Sequence, residues 1–322
     1  MPTQIDFMPP RWMRPAMVQT GLASLKFRKR GRTALENNSR DEIITTPEGV
    51  RLKIVTSDNV DKTRPIVILI HGWEGSSDST YVVSTARRVF DSGCSVVRLN
   101  LRDHGGTHAL NEGPFYATLF DEVFDGLSII AKRYPNRALI LAGFSLGGNY
   151  VLRTARRLAQ TAVPNLSHLI AVSPVVDPPS SNAVLDENWL IKSYFLKKWK
   201  ASLRAKQAAF PALYDFSDML AMNDTMAMSE IAIRKYTDYP DTMTYFEAYG
   251  VKPHEVKDCP VPLTIIAAAD DPVVPMEKCH SLELNAQSQL IMWPYGGHNG
   301  FFKSLTGPTG YDEVIAEIID KV

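Results

Sequence analysis

Short runs of apolar, often β-branched residues alternate with amphipathic helical patterns from residue 50 onward. Such alternation is typical of β-α-β units, which build a mainly parallel sheet with helices on its faces. We therefore predict an α/β protein. The predicted strands lie near residues 51–56, 65–70, 95–99, 138–142, 169–172, 263–268 and 290–293, and the clearest predicted helices near residues 80–91, 119–134, 146–160, 275–284 and 311–321.

One connection is much longer than a crossover helix requires. About 90 residues separate the strand that ends near Val172 from the strand that begins near Leu263, whereas loops in compact domains rarely exceed about 15 residues. We interpret residues 178–257, which are rich in aromatic and methionine side chains, as a helical cap over the carboxyl edge of the sheet, where α/β proteins bind ligands. The core then comprises residues 49–177 and 258–322, and residues 1–48 form an N-terminal extension that wraps it.

A candidate nucleophile lies where the fourth predicted strand meets the following helix. Residues 138–149 read ALILAGFSLGGN, so that Ser145 is the centre of a G-x-S-x-G motif. In this context the serine occupies a sharp, strained turn, and small residues on either side let strand and helix approach closely. Gly143 and Gly147 supply them. The helix N-terminus also adds positive potential that favours an oxyanion beside Ser145.

A serine hydroxyl becomes a good nucleophile when an imidazole takes its proton. His298, in the segment WPYGGHNG, follows the last predicted strand, and the neighbouring glycines let the loop bring its ring over the sheet. An orienting acid is expected between the serine and the histidine in chain order, at the end of the preceding strand. Asp270 and Asp271 both meet this condition, and the hydrophobic pattern does not choose between them.

Two backbone amides are predicted to stabilise the oxyanion. One is the amide of Leu146, which follows the nucleophile, and the other is the amide of Trp73, which follows a strand in the segment VILIHGWEGS. We interpret His71 as a structural residue, because it precedes Ser145 in the chain. Residues 102–108, RDHGGTH, contain two histidines beside an aspartate, but the two glycines indicate a loop at the rim of the site rather than a metal-binding helix.

The composition narrows the choice of partners. Lys plus Arg and Asp plus Glu number 35 each, so no global field attracts nucleic acid. The three cysteines form neither a disulfide framework nor a zinc motif, which favours a reducing, cytoplasmic location. Prolines and Asp6 interrupt any signal peptide, and no window is long and apolar enough to span a bilayer. We expect a small-molecule substrate, no cofactor and no metal, and leave the oligomeric state open.

One helical pattern in the cap combines an apolar stripe with many lysines. Ile191, Phe195, Trp199 and Leu203 recur every four residues, which is the spacing of one helix face. Packing of this stripe on the domain beneath is the favoured interpretation. Peripheral contact with a membrane surface is the alternative.

Several segments together resemble the YheT-like hydrolases, a branch of the α/β-hydrolase superfamily that is related to animal lipid esterases. In order along the chain they are FMPPRWMR with a following QT, HGWEGSS, GFSLGGN, DDPVVP and GGHNGF. The resemblance implies the α/β-hydrolase fold, with a mainly parallel twisted sheet and a helical lid inserted before the strand that carries the acid. The D-x-x-x-P pattern of such hydrolases selects Asp271 as that acid, with Asp270 bracing the turn.

The same resemblance implies hydrolysis of carboxylic esters, with medium-chain acyl or phospholipid substrates in some members. Met17 replaces a histidine that is common in the opening motif, and Asp103 and His104 stand where glycine is commoner. These departures leave the candidate catalytic residues in place, but the substrate preference of the family is not carried over.

The sequence thus predicts a serine hydrolase that cleaves carboxylic esters through an acyl-enzyme. Ser145 attacks the ester carbonyl, His298 relays the proton to the leaving alcohol, and Asp271 fixes the imidazole tautomer. The apolar cap favours a short to medium acyl chain or a lipid-like one. Acyl transfer or thioester cleavage at the same serine is one alternative, and a non-catalytic lipid-binding protein on the same scaffold is another.

Overall fold

The computed structural model describes residues 5–322, and its centre is one sheet. The eight strands of this sheet are β1 (Ser39–Thr45), β2 (Arg51–Ser57), β3 (Ile66–Ile70), β4 (Ser95–Leu99), β5 (Leu139–Phe144), β6 (Leu166–Val172), β7 (Leu263–Ala268) and β8 (Gln289–Trp293). Their order across the sheet is β1-β2-β4-β3-β5-β6-β7-β8. β2 runs antiparallel to β1 and to β4, and every neighbouring pair from β4 to β8 is parallel. The carboxyl ends of every strand except β2 therefore lie at one edge of the sheet.

Helices cover the sheet and form the cap. They are α1 (Ala16–Ser24), α2 (Ala34–Asn37), α3 (Thr80–Asp91), α4 (Phe120–Arg133), α5 (Leu146–Leu158), α6 (Pro178–Glu187), α7 (Trp189–Ala209), α8 (Ser217–Ala221), α9 (Thr225–Tyr236), α10 (Thr242–Tyr249), α11 (Glu277–His280) and α12 (Gly310–Lys321), with 3₁₀ turns at Arg11–Met13, Lys26–Lys29 and Pro253–Val256. Five of these helices, α6 to α10, fall within residues 178–257, the segment that the sequence predicts to be a cap and that we call the cap. Within residues 5–322, no helix has both the length and the apolar character that crossing a membrane requires.

The central strand shows why this sheet forms. All five residues of β3 are buried, as expected for a parallel strand covered on both faces. Because successive side chains point to opposite faces, Ile66, Ile68 and Ile70 pack in one cluster with residues of α4 and α5. Val67 and Leu69 pack in a second cluster with residues of α3 and α12. Two apolar layers therefore hold the carboxyl edge of the sheet in place.

The prediction that the core begins at residue 49 is wrong, because the first strand of the sheet precedes it. β1 pairs with β2 over its whole length, so that the sheet begins at Ser39 rather than at residue 49. Among the seven residues of β1, only Ile44 is buried. An edge strand keeps polar side chains that discourage pairing with other chains, and the apolar pattern that identifies inner strands is therefore weak here.

The helix predicted over residues 275–284 is also corrected. Only the single turn α11 is helical, because the N–H of Glu283 donates to the carbonyl of Pro253 at 2.8 Å instead of to the preceding turn. The chain is thereby drawn towards the 3₁₀ turn that precedes β7. A contact between residues so distant in sequence leaves no local signal.

Candidate active site

Ser145 occupies a strained turn between β5 and α5. Its backbone has φ 56° and ψ −116°, a region that non-glycine residues rarely adopt. The turn is tight because a Cβ at Gly143 would lie 2.1 Å from the carbonyl oxygen of Gly147, and a Cβ at Gly147 would lie 2.4 Å from that of Ile70. The Ser145 N–H donates to the carbonyl of Val172 at 2.9 Å. Glycine is therefore required on both sides of the serine, as the sequence analysis expected.

A continuous chain of hydrogen bonds links Ser145, His298 and Asp271. The Nε2 atom of His298 lies 2.9 Å from the Ser145 hydroxyl oxygen, and its Nδ1 atom lies 2.9 and 3.1 Å from the two carboxylate oxygens of Asp271. An ionised carboxylate only accepts hydrogen bonds, so Nδ1 carries the proton and Nε2 presents its lone pair to the serine. The His298 imidazole thus has the tautomer and the hydrogen bond that a base acting on the Ser145 hydroxyl would need.

The adjacent aspartates have different contacts. The side chain of Asp271 is fully buried, and one of its oxygens also accepts the N–H groups of Val273 and Val274 at 2.8 and 3.0 Å. Asp270 instead accepts the N–H of Gly297 at 2.9 Å, and burial raises its pKa above the ordinary value. Asp271 therefore contacts the imidazole ring, whereas Asp270 holds the loop that carries it.

The N-terminal segment holds the other side of the His298 loop. The Thr20 hydroxyl oxygen accepts the His298 N–H at 2.9 Å. The Gln19 side chain accepts the Phe302 N–H at 2.7 Å and donates to the Phe302 and Met13 carbonyls at 3.1 and 2.9 Å. Sequence reasoning missed this role, although Gln19 and Thr20 belong to the opening segment on which the family resemblance partly rests.

The two predicted oxyanion donors border the serine. A Cβ at Gly72 would lie 3.0 Å from the Ser145 Cβ, so the loop from Gly72 to Trp73 passes directly against the candidate nucleophile. The N–H of Trp73 has no hydrogen-bond acceptor within residues 5–322. Leu146 is the first residue of α5, where the helix itself offers the N–H no acceptor. Both amides are therefore available to an oxygen anion.

Two neutral histidines fix the loop that carries Trp73. The Nε2 atom of His71 accepts the Leu101 N–H at 3.2 Å, and that of His104 accepts the Glu74 N–H at 3.0 Å. Their Nδ1 atoms lie 2.8 and 2.7 Å from backbone carbonyls, which only accept hydrogen bonds. Burial lowers the pKa of His71 to about 4 and that of His104 well below its usual range. Both rings are therefore neutral braces, the role predicted for His71.

A buried ion pair joins the cap to the core near the same loop. The Lys206 ammonium on α7 lies 3.0 Å from the Asp103 carboxylate and also donates to the backbone carbonyls of His108, Asn111 and Gly113. Burial lowers the pKa of Lys206 and raises that of Asp103. The 102–108 loop is thus a docking point for the cap. No group of three or more His, Cys, Asp or Glu side chains is placed to hold a metal within residues 5–322.

Two cavities meet at Ser145. The first, which we call the cap cavity, has a volume of about 170 Å³ and lies between the cap and the sheet. Its walls include Trp73, Glu74, Leu146, Phe195, Trp199, Met219 and Tyr245. The second, the N-terminal cavity, has a volume of about 560 Å³, and its walls include Met17, Thr20, Lys29, Trp73, Tyr81, Tyr194 and His298. A ligand that is centred at Ser145 therefore has room to extend into both cavities.

The apolar stripe of α7 faces inward, with Ile191 in a core cluster and Leu203 in a separate cluster of cap residues. The Phe195 ring stacks on the indole of Trp73 with ring centroids 5.2 Å apart, and the Trp199 ring meets the same indole edge-on. Ile191 and Leu203 are buried. The stripe thus forms the roof over both cavities.

Comparison with known proteins agrees with this architecture. A family model described as "Alpha/beta hydrolase family" matches residues 67–307. The Homo sapiens protein named Phospholipase ABHD3 is 21% identical over 286 residues, which cover 83% of this chain and 67% of that protein. The Saccharomyces cerevisiae protein named Medium-chain fatty acid ethyl ester synthase/esterase 2 is 24% identical over 298 residues, which cover 80% of this chain and 65% of that protein.

Solved structures share the fold at low sequence identity. The Pyrococcus furiosus esterase Pf2001 superimposes with a TM-score of 0.58 at 16% identity, covering 90% of this chain and 96% of that one. A Staphylococcus aureus protein of unknown function gives a TM-score of 0.60 at 15% identity, covering 88% of this chain and 99% of that one. Because the family match extends over more than half of its residues, the chain belongs to the alpha/beta hydrolase family.

Proposed function

We propose that the protein is a serine hydrolase that cleaves carboxylic esters through an acyl-enzyme. The observation that carries the proposal is the chain of hydrogen bonds from the Ser145 hydroxyl through His298 to Asp271. In this mechanism the hydroxyl oxygen attacks the ester carbonyl while Nε2 of His298 takes its proton. The Trp73 and Leu146 amides stabilise the negative oxygen that forms. Nε2 then protonates the leaving alcohol, and water releases the acid by the same steps.

The residues that line the two cavities support a separate place for each half of the ester. His298 lines the N-terminal cavity but is not among the residues within 5–322 that line the cap cavity. Because the histidine must protonate the leaving oxygen, the alcohol belongs in the N-terminal cavity. The acyl chain then enters the cap cavity, where aromatic and methionine side chains suit an apolar ligand.

The relatives support a finer proposal. One is named a phospholipase and another an esterase of medium-chain fatty acid ethyl esters. Together with the opening motif, these names favour the YheT-like branch and a medium-chain or lipid-like acyl ester as substrate. The word "synthase" in the yeast name also favours a second candidate, transfer of the acyl group to an alcohol. The N-terminal cavity, at about 560 Å³, has room for such an acceptor.

Labelling with a fluorophosphonate probe tests the nucleophile. We expect an adduct on the wild-type protein that is lost in Ser145→Ala and kept in Ser128→Ala, a matched control on α4 whose hydroxyl bonds only to its own helix. Turnover of 4-nitrophenyl esters with two to twelve acyl carbons tests the substrate class. An adduct that persists in Ser145→Ala contradicts the nucleophile, and equal turnover of all chain lengths contradicts a fitted acyl cavity.

A further inference from the structure

Glu74 projects a carboxyl group without a partner from the loop beside Ser145. Its backbone N–H donates to His104, and its carbonyl accepts from the Lys198 ammonium at 2.9 Å. Within residues 5–322 its side chain has no hydrogen-bond or ion-pair partner, and the residue lines the cap cavity. The backbone of Glu74 therefore holds the loop, while its carboxyl group takes no part in that task.

This residue is unfavourable for the fold in two ways. Its backbone has φ 55°, a left-handed conformation that costs energy for any residue with a Cβ. Burial also raises the pKa of its carboxyl to about 7, which means that the cavity disfavours the ionised form. The charged groups near it are Lys198 on α7, which lowers this pKa, and Asp103 in the loop after β4, which raises it. Costs of this kind are typical of functional positions.

The surroundings indicate which ligand group the carboxyl suits. Trp73, Phe195 and Trp199 give the cavity apolar walls, which suit an acyl chain. Only where the chain reaches Glu74 is a polar group expected on it. A hydroxyl both donates and accepts hydrogen bonds and therefore pairs with a carboxyl in either protonation state. A cationic ligand group would instead meet the positive charge of Lys198, which already lies against this loop.

We propose that the cap cavity takes a hydroxylated acyl chain and that Glu74 is the specificity-determining residue that hydrogen-bonds its hydroxyl. This inference rests on the proposed function, because it assumes that the acyl half of the ester occupies the cap cavity. It goes further by naming a polar group on the substrate. The scissile ester and the hydroxyl are then recognised by neighbouring residues of one loop, Trp73 through its amide and Glu74 through its side chain.

The test compares 4-nitrophenyl octanoate with the matching hydroxyoctanoates, in which the hydroxyl is placed at carbon 3, 6, 7 or 8, the positions that do not close a five- or six-membered lactone. We expect one position to raise kcat/KM about tenfold over the plain ester, the effect of one hydrogen bond. The preference increases from pH 6 to pH 8, because a hydroxyl donates more strongly to a carboxylate than to a neutral acid.

Two variants of Glu74 and one control separate this role from general packing. Glu74→Leu abolishes the preference for the hydroxyl, and Glu74→Gln keeps part of it but removes its dependence on pH. Met219→Leu, a volume-conserving change in the same cavity, alters the turnover of plain and hydroxylated esters by the same factor. Since the side chain of Glu74 holds no structural contact, both of its variants also unfold at or above the wild-type temperature.

The same comparison is made for binding in Ser145→Ala, by calorimetry with each ester, so that the result does not depend on catalysis. Tighter binding of one hydroxylated ester, lost when Glu74→Leu is added, supports the inference even without turnover. Equal binding of plain and hydroxylated esters overturns it, and leaves the esterase proposal standing if the plain ester is hydrolysed. Stronger binding of a chain that ends in trimethylammonium also overturns it, in favour of a cationic substrate.

Discussion

The hydroxyl oxygen of Thr20 accepts the backbone N–H of His298 at 2.9 Å, so that the N-terminal segment directly positions the candidate base. We expect Thr20→Val, which keeps the shape but removes the acceptor, to lower kcat about tenfold, because the imidazole no longer stays in register with Ser145. Thr20→Ser restores the acceptor and most of the rate. An unchanged kcat in Thr20→Val contradicts a positioning role, and a rise confined to KM assigns Thr20 to substrate binding instead.

The adjacent aspartates differ in their expected effect on catalysis. Asp271→Asn is expected to lower kcat by about four orders of magnitude, because an amide no longer fixes the imidazole tautomer. Asp270→Asn keeps an oxygen that accepts the Gly297 N–H, so its kcat falls far less. Steady-state measurement of kcat in the two variants tests this difference. A larger loss of kcat in Asp270→Asn than in Asp271→Asn assigns the orienting role to Asp270.

Asp270 also predicts a dependence of stability on pH. Its pKa is raised by burial, so its ionised form is less favourable in the folded than in the unfolded protein. The destabilising effect of the ionised Asp270 is absent below the ordinary pKa of an aspartate. It grows as the pH rises through the raised pKa of the folded protein. Asp270→Asn is therefore expected to gain melting temperature over the wild type at pH 7 more than at pH 3.5. A gain that does not change with pH excludes this linkage.

The ion pair between Lys206 and Asp103 is expected to be essential to the docking of the cap. Lys206→Met removes the ammonium that donates to the buried Asp103 carboxylate and to three backbone carbonyls. We expect the free energy of unfolding, measured by urea denaturation, to fall by about 3–5 kcal/mol. Adding Asp103→Asn to Lys206→Met recovers part of the loss, because no buried charge then remains. Lys200→Met, on the same helix but bonded only to exposed Asn223, is the control and changes stability by less than about 0.5 kcal/mol. Equal losses in the two lysine variants rule out a special role for Lys206.

Two buried histidines and one half-buried histidine predict a loss of stability in mild acid. Burial lowers the pKa values of His71 and His168 to about 4 and that of His104 well below 6.5. Between about pH 6.5 and pH 4 the unfolded chain binds protons that the folded protein excludes, so stability falls as the pH falls, by up to about 1.4 kcal/mol per pH unit for each histidine. Urea unfolding at pH 5 and pH 7 measures this slope.

His168 allows a control that spares the site, since its ring contacts Thr264 on β7. We expect His168→Gln to reduce the slope without altering kcat, and His254→Gln, at an exposed position, to leave it unchanged. A wild-type slope of zero over this interval contradicts neutral histidines.

The parts of the site that the sequence predicted are those with a local signal. The turn at Ser145 follows from an apolar strand, two glycines and a helix within twelve residues, and His298 follows from its place after the last strand. The choice of Asp271 needed a family pattern, because both aspartates lie where strand alternation ends. The inner strands were predictable since burial on both faces makes them continuously apolar.

The parts that sequence reasoning missed depend on contacts between distant segments. Thr20 and Gln19 look like ordinary helix residues until the C-terminal loop packs on them. Lys206 continues a row of cap lysines, and only the folded chain shows that this one is buried against Asp103. β1 was missed because an edge strand with one buried residue resembles a polar linker.

The bonds from the N-terminal segment to the His298 loop also predict an order of events in folding. Gln19 and Phe302 are 283 positions apart, and Thr20 and His298 are 278 apart. Loop-closure entropy makes contacts of such high sequence separation slow to form, whereas the units around β3 to β6 close over short distances. During refolding, the circular dichroism signal should therefore recover before enzymatic activity. Activity requires that the N-terminal segment has packed against the His298 loop.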